Sequence, residues 1–188
     1  MNRFHLWFCR SRRWRKRIEP RMSWVLDGLD LGQEVLEVGP GPGLTTDVLR
    51  RNVRQITAIE IDPALAESLR SRTHGSNVTV VHGDASSMRF EDSKFSAAVS
   101  FTMLHHVPSR ELQDRIFHEV WRVLKPGGVF AGSDSLPSFS MRLIHIFDIM
   151  VLVDPKTLDS RLEAAGFRDV IIEPTEGAFR FRARRPLQ

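Results

Sequence analysis

One repeated order constrains this chain more than any other feature. A short apolar run ends on a glycine or an acid, and a helix start follows. The runs at 35–38, 56–61, 77–82, 95–101 and 129–132 have strand length and strand composition. Helix patterns separate most of them. Asp62-Pro63 and Asp154-Pro155 each place an N-cap before a proline at the first helical position, and Pro108-Ser109 opens a helix running to Leu124. Gly166 closes the last helix, and 167–173 and 178–184 form two further strands joined at Glu176-Gly177 as a hairpin. Strands alternating with helices in this way predict a mostly parallel sheet with helices on both faces. In such sheets a ligand sits beyond the carboxyl ends of the strands, so the residues there carry the functional question.

At 188 residues the chain suffices for one domain. A single cysteine, Cys9, excludes an internal disulfide framework, and no His, Cys and acid cluster has metal-ligand spacing, so no metal is expected. The longest apolar run, 149–153, is too short to span a bilayer, and the apolar patch at 4–8 is too short for a secretory signal; a cytoplasmic setting is expected. Charge is concentrated at the ends. Residues 1–22 carry eight basic groups and one acid, and Arg180, Arg182, Arg184 and Arg185 stand close together. The body between is acidic, so the basic ends are expected to meet anionic lipid, RNA or an acidic partner, or to remain solvated. Residues 1–19 interleave Phe4, Trp7, Phe8 and Trp14 with arginines and read as a basic aromatic arm, with a first helix starting at Glu19-Pro20.

The first strand ends in VLEVGPGPG, residues 35–43. Its glycines allow a sharp turn and let a ligand approach main-chain N–H groups. Leu44 occupies the position that a dinucleotide fingerprint gives to a small residue, which argues against NAD or FAD, and no Gly-Lys-Ser/Thr follows for a phosphate loop. The second strand ends in AIEID, where Glu60 is placed to accept from both hydroxyls of a ribose; Asp62 is assigned to the helix cap. The third ends in VHGDA, where Asp84 is placed to accept from an exocyclic amine.

Together with FTMLHHV after the fourth strand and WRVLKPGG before the fifth, these motifs resemble the class I S-adenosylmethionine-dependent methyltransferases. The resemblance covers roughly residues 20–184. It implies a Rossmann-like α/β fold: a seven-stranded, mostly parallel sheet with an antiparallel last strand. It also implies S-adenosyl-L-methionine as cofactor. Glu37, Gly39, Gly41 and Gly43, with Pro40, would hold its methionine part. Glu60, beside Ile61, would hold the ribose, and Asp84, beside Ala85, the adenine amine. Phe101 would lie next to the sulfonium.

The cofactor half looks especially like the ribosomal RNA adenine dimethylases, but the Asn-Leu-Pro-Tyr type segment that would hold a flipped base is replaced by Phe101-Thr102-Met103-Leu104, and no extra RNA-binding domain is expected after strand seven. The later half resembles the small-molecule branch that contains the ubiquinone and menaquinone C-methyltransferases. Residues 134–154 are expected to cover the substrate as an apolar lid, or else to be a core helix; a lid implies an apolar, lipid- or quinone-like acceptor. An RNA methyltransferase and a non-catalytic cofactor-binding relative are the rival readings. His105 and His106 are the candidate bases, with packing and positioning as their alternative role. His145 is a weaker candidate. The arm is expected to contact an anionic membrane, to stack on RNA, or to cap the substrate site.

Overall fold

The computed structural model describes residues 11–138 and 149–187. The expected alternation is present. Strands β1 (Glu34–Val38), β2 (Gln55–Glu60), β3 (Val78–His82), β4 (Phe95–Phe101) and β5 (Leu124–Ser135) run parallel. The hairpin of β6 (Arg168–Thr175) and β7 (Ala178–Arg184) completes a seven-stranded sheet in the order β3-β2-β1-β4-β5-β7-β6, with β7 antiparallel to both neighbours. The chain goes from β1 outward to β3, then crosses to β4 on the other side of β1. The order therefore reverses between β1 and β4, and a crevice opens above their carboxyl ends.

Side-chain alternation divides the core into two layers. Leu36, Val38, Ala98 and Phe130 face one side, under α4 (Arg110–Val123) and α5 (Pro155–Ala164). Val35, Ala97, Val99 and Ala131 face the other, with α1 (Arg12–Leu26), α2 (Leu44–Leu49) and α3 (Pro63–Arg72). The caps follow their expected chemistry. The Asp62 carboxylate accepts from the N–H groups of Ala64 and Leu65 at 2.9 and 3.0 Å, and Asp154 does the same for Lys156 at 2.9 Å.

Three elements depart from the sequence expectation. Helix α1 starts at Arg12, not at Glu19-Pro20. Ser11 is its cap, accepting from the Trp14 N–H at 3.1 Å, and Pro20 lies inside the helix. The deciding force is an apolar stripe of Trp14, Ile18, Met22 and Val25 at helical spacing; the last three are fully buried. Arg15, Lys16 and Arg17 point to solvent. Residues 11–19 are thus helix packed on the domain; the remainder of the arm, 1–10, lies outside the described residues.

The segment 125–128, which the sequence places before a fifth strand at 129–132, is an irregularity within β5. Leu124 pairs with Phe95, and regular pairing resumes at Val129 with Ala97. The C-terminal arginines do not form a free cationic patch. Arg182 donates to the carbonyls of Val25 and Asp27 at 3.2 and 2.7 Å, closing the end of α1, and Arg180 donates to Trp24. Arg185 donates to the carbonyls of Trp121, Arg122 and Leu124 at 3.0, 2.9 and 2.5 Å, at the end of α4, with its guanidinium 4.1 Å from the Trp121 ring centre. Helix ends expose unpaired carbonyls at the negative pole of the helix dipole, and these cations satisfy them.

Candidate functional site

A cavity of about 690 Å³ lies over the switch point, bounded by the ends of β1, β2, β3 and β4. Gly39, Pro40, Gly41, Glu60, Ile61, Asp84, Ala85, Phe101, His105 and His106 all line it, as the sequence placed them. Two predicted residues do not. Gly43 sits at the start of α2 with its back to Leu69 and Arg72 of α3. Glu37 lies one layer below, fully buried, where its carboxylate accepts from the hydroxyls of Thr45 and, at 2.6 Å, Thr46. It anchors α2 under the glycine loop and does not reach the cavity itself. Burial pushes its carboxyl up to about 7, against the two hydroxyls, which favour the charged form.

The glycine loop shows two kinds of constraint. Gly39 (φ +66°) packs on Met103, so a Cβ there would collide with that side chain. Gly41 (φ +54°) lines the cavity and a Cβ on it would meet nothing within 4 Å, so the backbone presents open space to a ligand. Glu60 holds this loop. Its Oε2 accepts from the Gly41 N–H at 2.9 Å and its Oε1 from the Asp62 N–H at 3.0 Å. Burial raises its carboxyl above the ordinary range, opposed by the same two N–H groups. Each oxygen retains a lone pair for a ribose hydroxyl. Asp84 is exposed at the rim and turns the chain by accepting from the Ser86 N–H at 2.8 Å. Ile61 is 65% exposed at the lip, a large apolar side chain left open to stack on a planar ring.

At the other end of the cavity, β4 gives way to a 3₁₀ turn (Leu104–His106) through Thr102, a non-glycine residue at φ +51°. His105 is buried, and its Nδ1 lies 2.5 Å from the Asp134 Oδ1. The His105 N–H donates to Asp134 Oδ2 at 3.1 Å, and the Ser135 N–H donates to Oδ1 at 2.6 Å. His106 is half-buried, its ring centre 4.2 Å from that of His105.

Trp14 from α1, Met103, Leu112, Ile116 and Ile149 complete an apolar wall. Trp14, which the sequence places in the basic arm with capping of the substrate site among its alternatives, lines the cavity from α1. Sequence reasoning misses Asp134 because it ends the fifth strand at Gly132, although an acid at a strand tip is the signal it uses for Glu60 and Asp84. Of the expected lid 134–154, residues 139–148 (His145 among them) lie outside the described residues; beyond them the Val151 N–H donates to the His105 carbonyl at 2.8 Å. Among the described residues no group of His, Cys and acid side chains is arranged to hold a metal, and no helix is long and apolar enough to cross a membrane.

A loop with space for a ligand, a buried diol acceptor and a rim acid for an amine together fit S-adenosyl-L-methionine. The methyltransferase domain family matches residues 36–132, just over half of the chain. The chain belongs to this family, the class I S-adenosylmethionine-dependent methyltransferases. It is 34% identical over 108 residues to the probable phthiotriol/phenolphthiotriol dimycocerosates methyltransferase 2 of Mycobacterium ulcerans, covering 56% of this chain and 41% of that one. It is 43% identical over 67 residues to the probable ribosomal RNA small subunit methyltransferase A of Thermococcus onnurineus, covering 36% of this chain and 24% of that one. The chain thus spans less than half the length of these curated relatives. The solved S-adenosylmethionine-dependent methyltransferase of Methanosarcina mazei superposes with a TM-score of 0.66 at 22% identity, over 85% of this chain and 95% of that one, which establishes the shared fold.

Proposed function

We propose that this protein transfers a methyl group from S-adenosyl-L-methionine to a small, apolar, lipid- or quinone-like molecule. The observation that carries the reading is the single cavity that joins the Gly41–Glu60–Asp84 end to the apolar wall of Trp14, Met103, Leu112 and Ile149. When bound, the cofactor supplies a methyl on a positive sulfur that departs as a neutral thioether.

The chain's own residues do the rest. Gly41 and Glu60 fix the nucleoside, Asp84 takes the amine, and Phe101 floors the reacting centre. The apolar wall excludes water and aligns the acceptor; alignment alone is worth ~7 kcal/mol or more. His105 and His106 stand where a proton would be taken from the acceptor. Glu37 and Gly43 act from below by fixing α2. The similarity to a lipid methyltransferase supports an apolar acceptor. The similarity to a ribosomal RNA methyltransferase covers only about a third of the chain, in keeping with the shared cofactor-binding motifs.

Arg15, Lys16 and Arg17 face solvent on the helix that carries Trp14 to the cavity. This supports an anionic membrane surface as the place where acceptor is met. Calorimetry with S-adenosyl-L-homocysteine, followed by labelled-methyl transfer to separated lipid, small-metabolite and RNA pools, tests the reading. Label in lipid or quinone fractions is expected; label confined to RNA overturns the acceptor class, and absence of cofactor binding overturns the whole. Reversing Arg15, Lys16 and Arg17 to Glu tests the membrane part. Salt-sensitive binding to anionic vesicles is expected to be lost, and unchanged binding removes it.

A further inference from the structure

Helix α1 carries one cation that does not belong to its solvent face. Arg21 follows Trp14 by seven residues and precedes Val25 by four, so at about 3.6 residues per turn the three lie along one line of the helix. That line faces the sheet, because Trp14 lines the cavity and Val25 is fully buried. Arg15, Lys16 and Arg17 are exposed, whereas Arg21 is half-buried. Among the described residues no hydrogen bond or ion pair engages its guanidinium. We infer that Arg21 binds an anionic group, a carboxylate or a phosphate, on the methyl acceptor, so that the acceptor is an apolar molecule with an anionic end. This deepens the methyltransferase reading above and rests on it.

The packing of α1 on β5 sets the height of Arg21. On β7, Arg182 pairs with Ala131 and donates to the Val25 carbonyl at 3.2 Å, and Arg180 pairs with Ser133 and donates to the Trp24 carbonyl. Moving towards the helix N-terminus therefore climbs β5 from Ala131 through Ser133 towards Ser135, which lines the cavity. Arg21 lies one turn before Trp24 and Val25, level with that strand tip. Helical side chains lean towards the N-terminus, which carries the guanidinium further towards Trp14. Its electrostatic interaction with Asp134, the residue before Ser135, agrees with this placement.

The charged neighbours leave the cation without a contact partner. Burial and the Arg17 charge disfavour its charged form, and Asp134 opposes them. The Asp134 oxygens are engaged by the N–H groups of His105 and Ser135 and by the His105 ring. Burying a charge is costly until it is paired, and the forked donors of a guanidinium match two oxygens of a carboxylate or phosphate. Arg21 stands behind the wall that Trp14 forms. The anionic end of the acceptor thus runs past Trp14 along α1, while the apolar body rests against Met103, Leu112 and Ile116. Arg17, exposed one turn away, adds a second positive charge on the same side.

The test uses the full chain saturated with S-adenosyl-L-homocysteine. The probes are decyl phosphate and decanol, each below the concentration at which it aggregates. Calorimetry is expected to show decyl phosphate bound about tenfold tighter or more. Arg21→Met keeps an apolar stem and removes the charge. It is expected to bring the two probes within about threefold of each other while decanol affinity, S-adenosyl-L-homocysteine affinity and the melting temperature stay unchanged. Arg21→Lys is expected to retain part of the preference. Vesicles of phosphatidylglycerol and phosphatidylcholine separate the two sources of the anion. Unchanged vesicle binding by Arg21→Met assigns a free anionic acceptor, and vesicle binding lost together with the preference assigns a lipid headgroup.

Equal binding of the two probes by the wild-type protein, or a preference that survives in Arg21→Met, overturns the inference and leaves the methyltransferase reading intact. So does an Arg21→Met variant that melts lower and loses both probes alike, which would make Arg21 a structural counter-charge to Asp134. Should Arg21→Met not fold, the wild-type comparison repeated across salt concentration decides: a preference that salt weakens supports the inference, and one that salt leaves unchanged overturns it. Failure to bind S-adenosyl-L-homocysteine defeats the methyltransferase reading instead.

Discussion

Glu60→Gln isolates what one buried carboxylate does for cofactor binding. In the free protein its two oxygens accept from the N–H groups of Gly41 and Asp62 at 2.9 and 3.0 Å. Glutamine has nearly the same volume but only one oxygen. Its NH₂ must therefore face one of the two N–H donors, or turn towards the ligand. Either way a charge-assisted acceptor is lost, worth about 1.5–3 kcal/mol. The fold itself loses less, because burial already disfavours the charged carboxyl and glutamine removes that cost. Affinity for S-adenosyl-L-homocysteine is expected to fall by about 2–3 kcal/mol, or about 30- to 150-fold. Isothermal titration calorimetry reads the loss, with chemical denaturation as control. A dissociation constant within threefold of wild type, in a folded variant, would refute the placement of the ribose at Glu60.

Glu37 makes a pH prediction with a defined sign. Its folded-state pKa of about 7 exceeds the ordinary carboxyl value of 4.5. Its contribution to stability is therefore full below pH 4.5 and is lost as pH rises towards and through 7, by about 3 kcal/mol in total. Glu37→Gln should remove that part of the slope in denaturation midpoints measured from pH 4 to 8; parallel curves for the two proteins would count against it. Gly41→Ala should separate binding from folding: the φ of +54° costs about 1–2 kcal/mol in stability, whereas the methyl group enters space left for the ligand and should cost more than tenfold in affinity, read by calorimetry. Arg182→Ala should destabilise by about 1–3 kcal/mol, because the carbonyls of Val25 and Asp27 lose a charged donor; an unchanged urea midpoint would show that water replaces it.

The elements legible in the sequence are those set by local chemistry. Asp62-Pro63 and Asp154-Pro155 cap their helices, the short apolar runs at 35–38 and 95–101 are buried strands, and Glu176-Gly177 turns a hairpin. The tips of β1, β2 and β3 converge because a parallel sheet places every carboxyl end on one side, so the Gly41–Glu60–Asp84 grouping follows from strand order alone. Helix α1 was less legible. Its dense arginines and internal Pro20 read as an arm, while the Trp14–Ile18–Met22–Val25 stripe becomes decisive only when a sheet face is present to cover it.

Residues distant in the chain met in ways that no spacing encodes. Arg182 closes α1 from 155 residues away, and His105 finds Asp134 across 29. Local signals act through the backbone within a turn or two, so caps, strands and glycine loops were written in the order of the residues. Whether a cation serves as an open patch or as the end of a helix depends on which carbonyls the packed core brings within reach. The same holds for the meeting of His105 with Asp134, and only the assembled tertiary structure decided both.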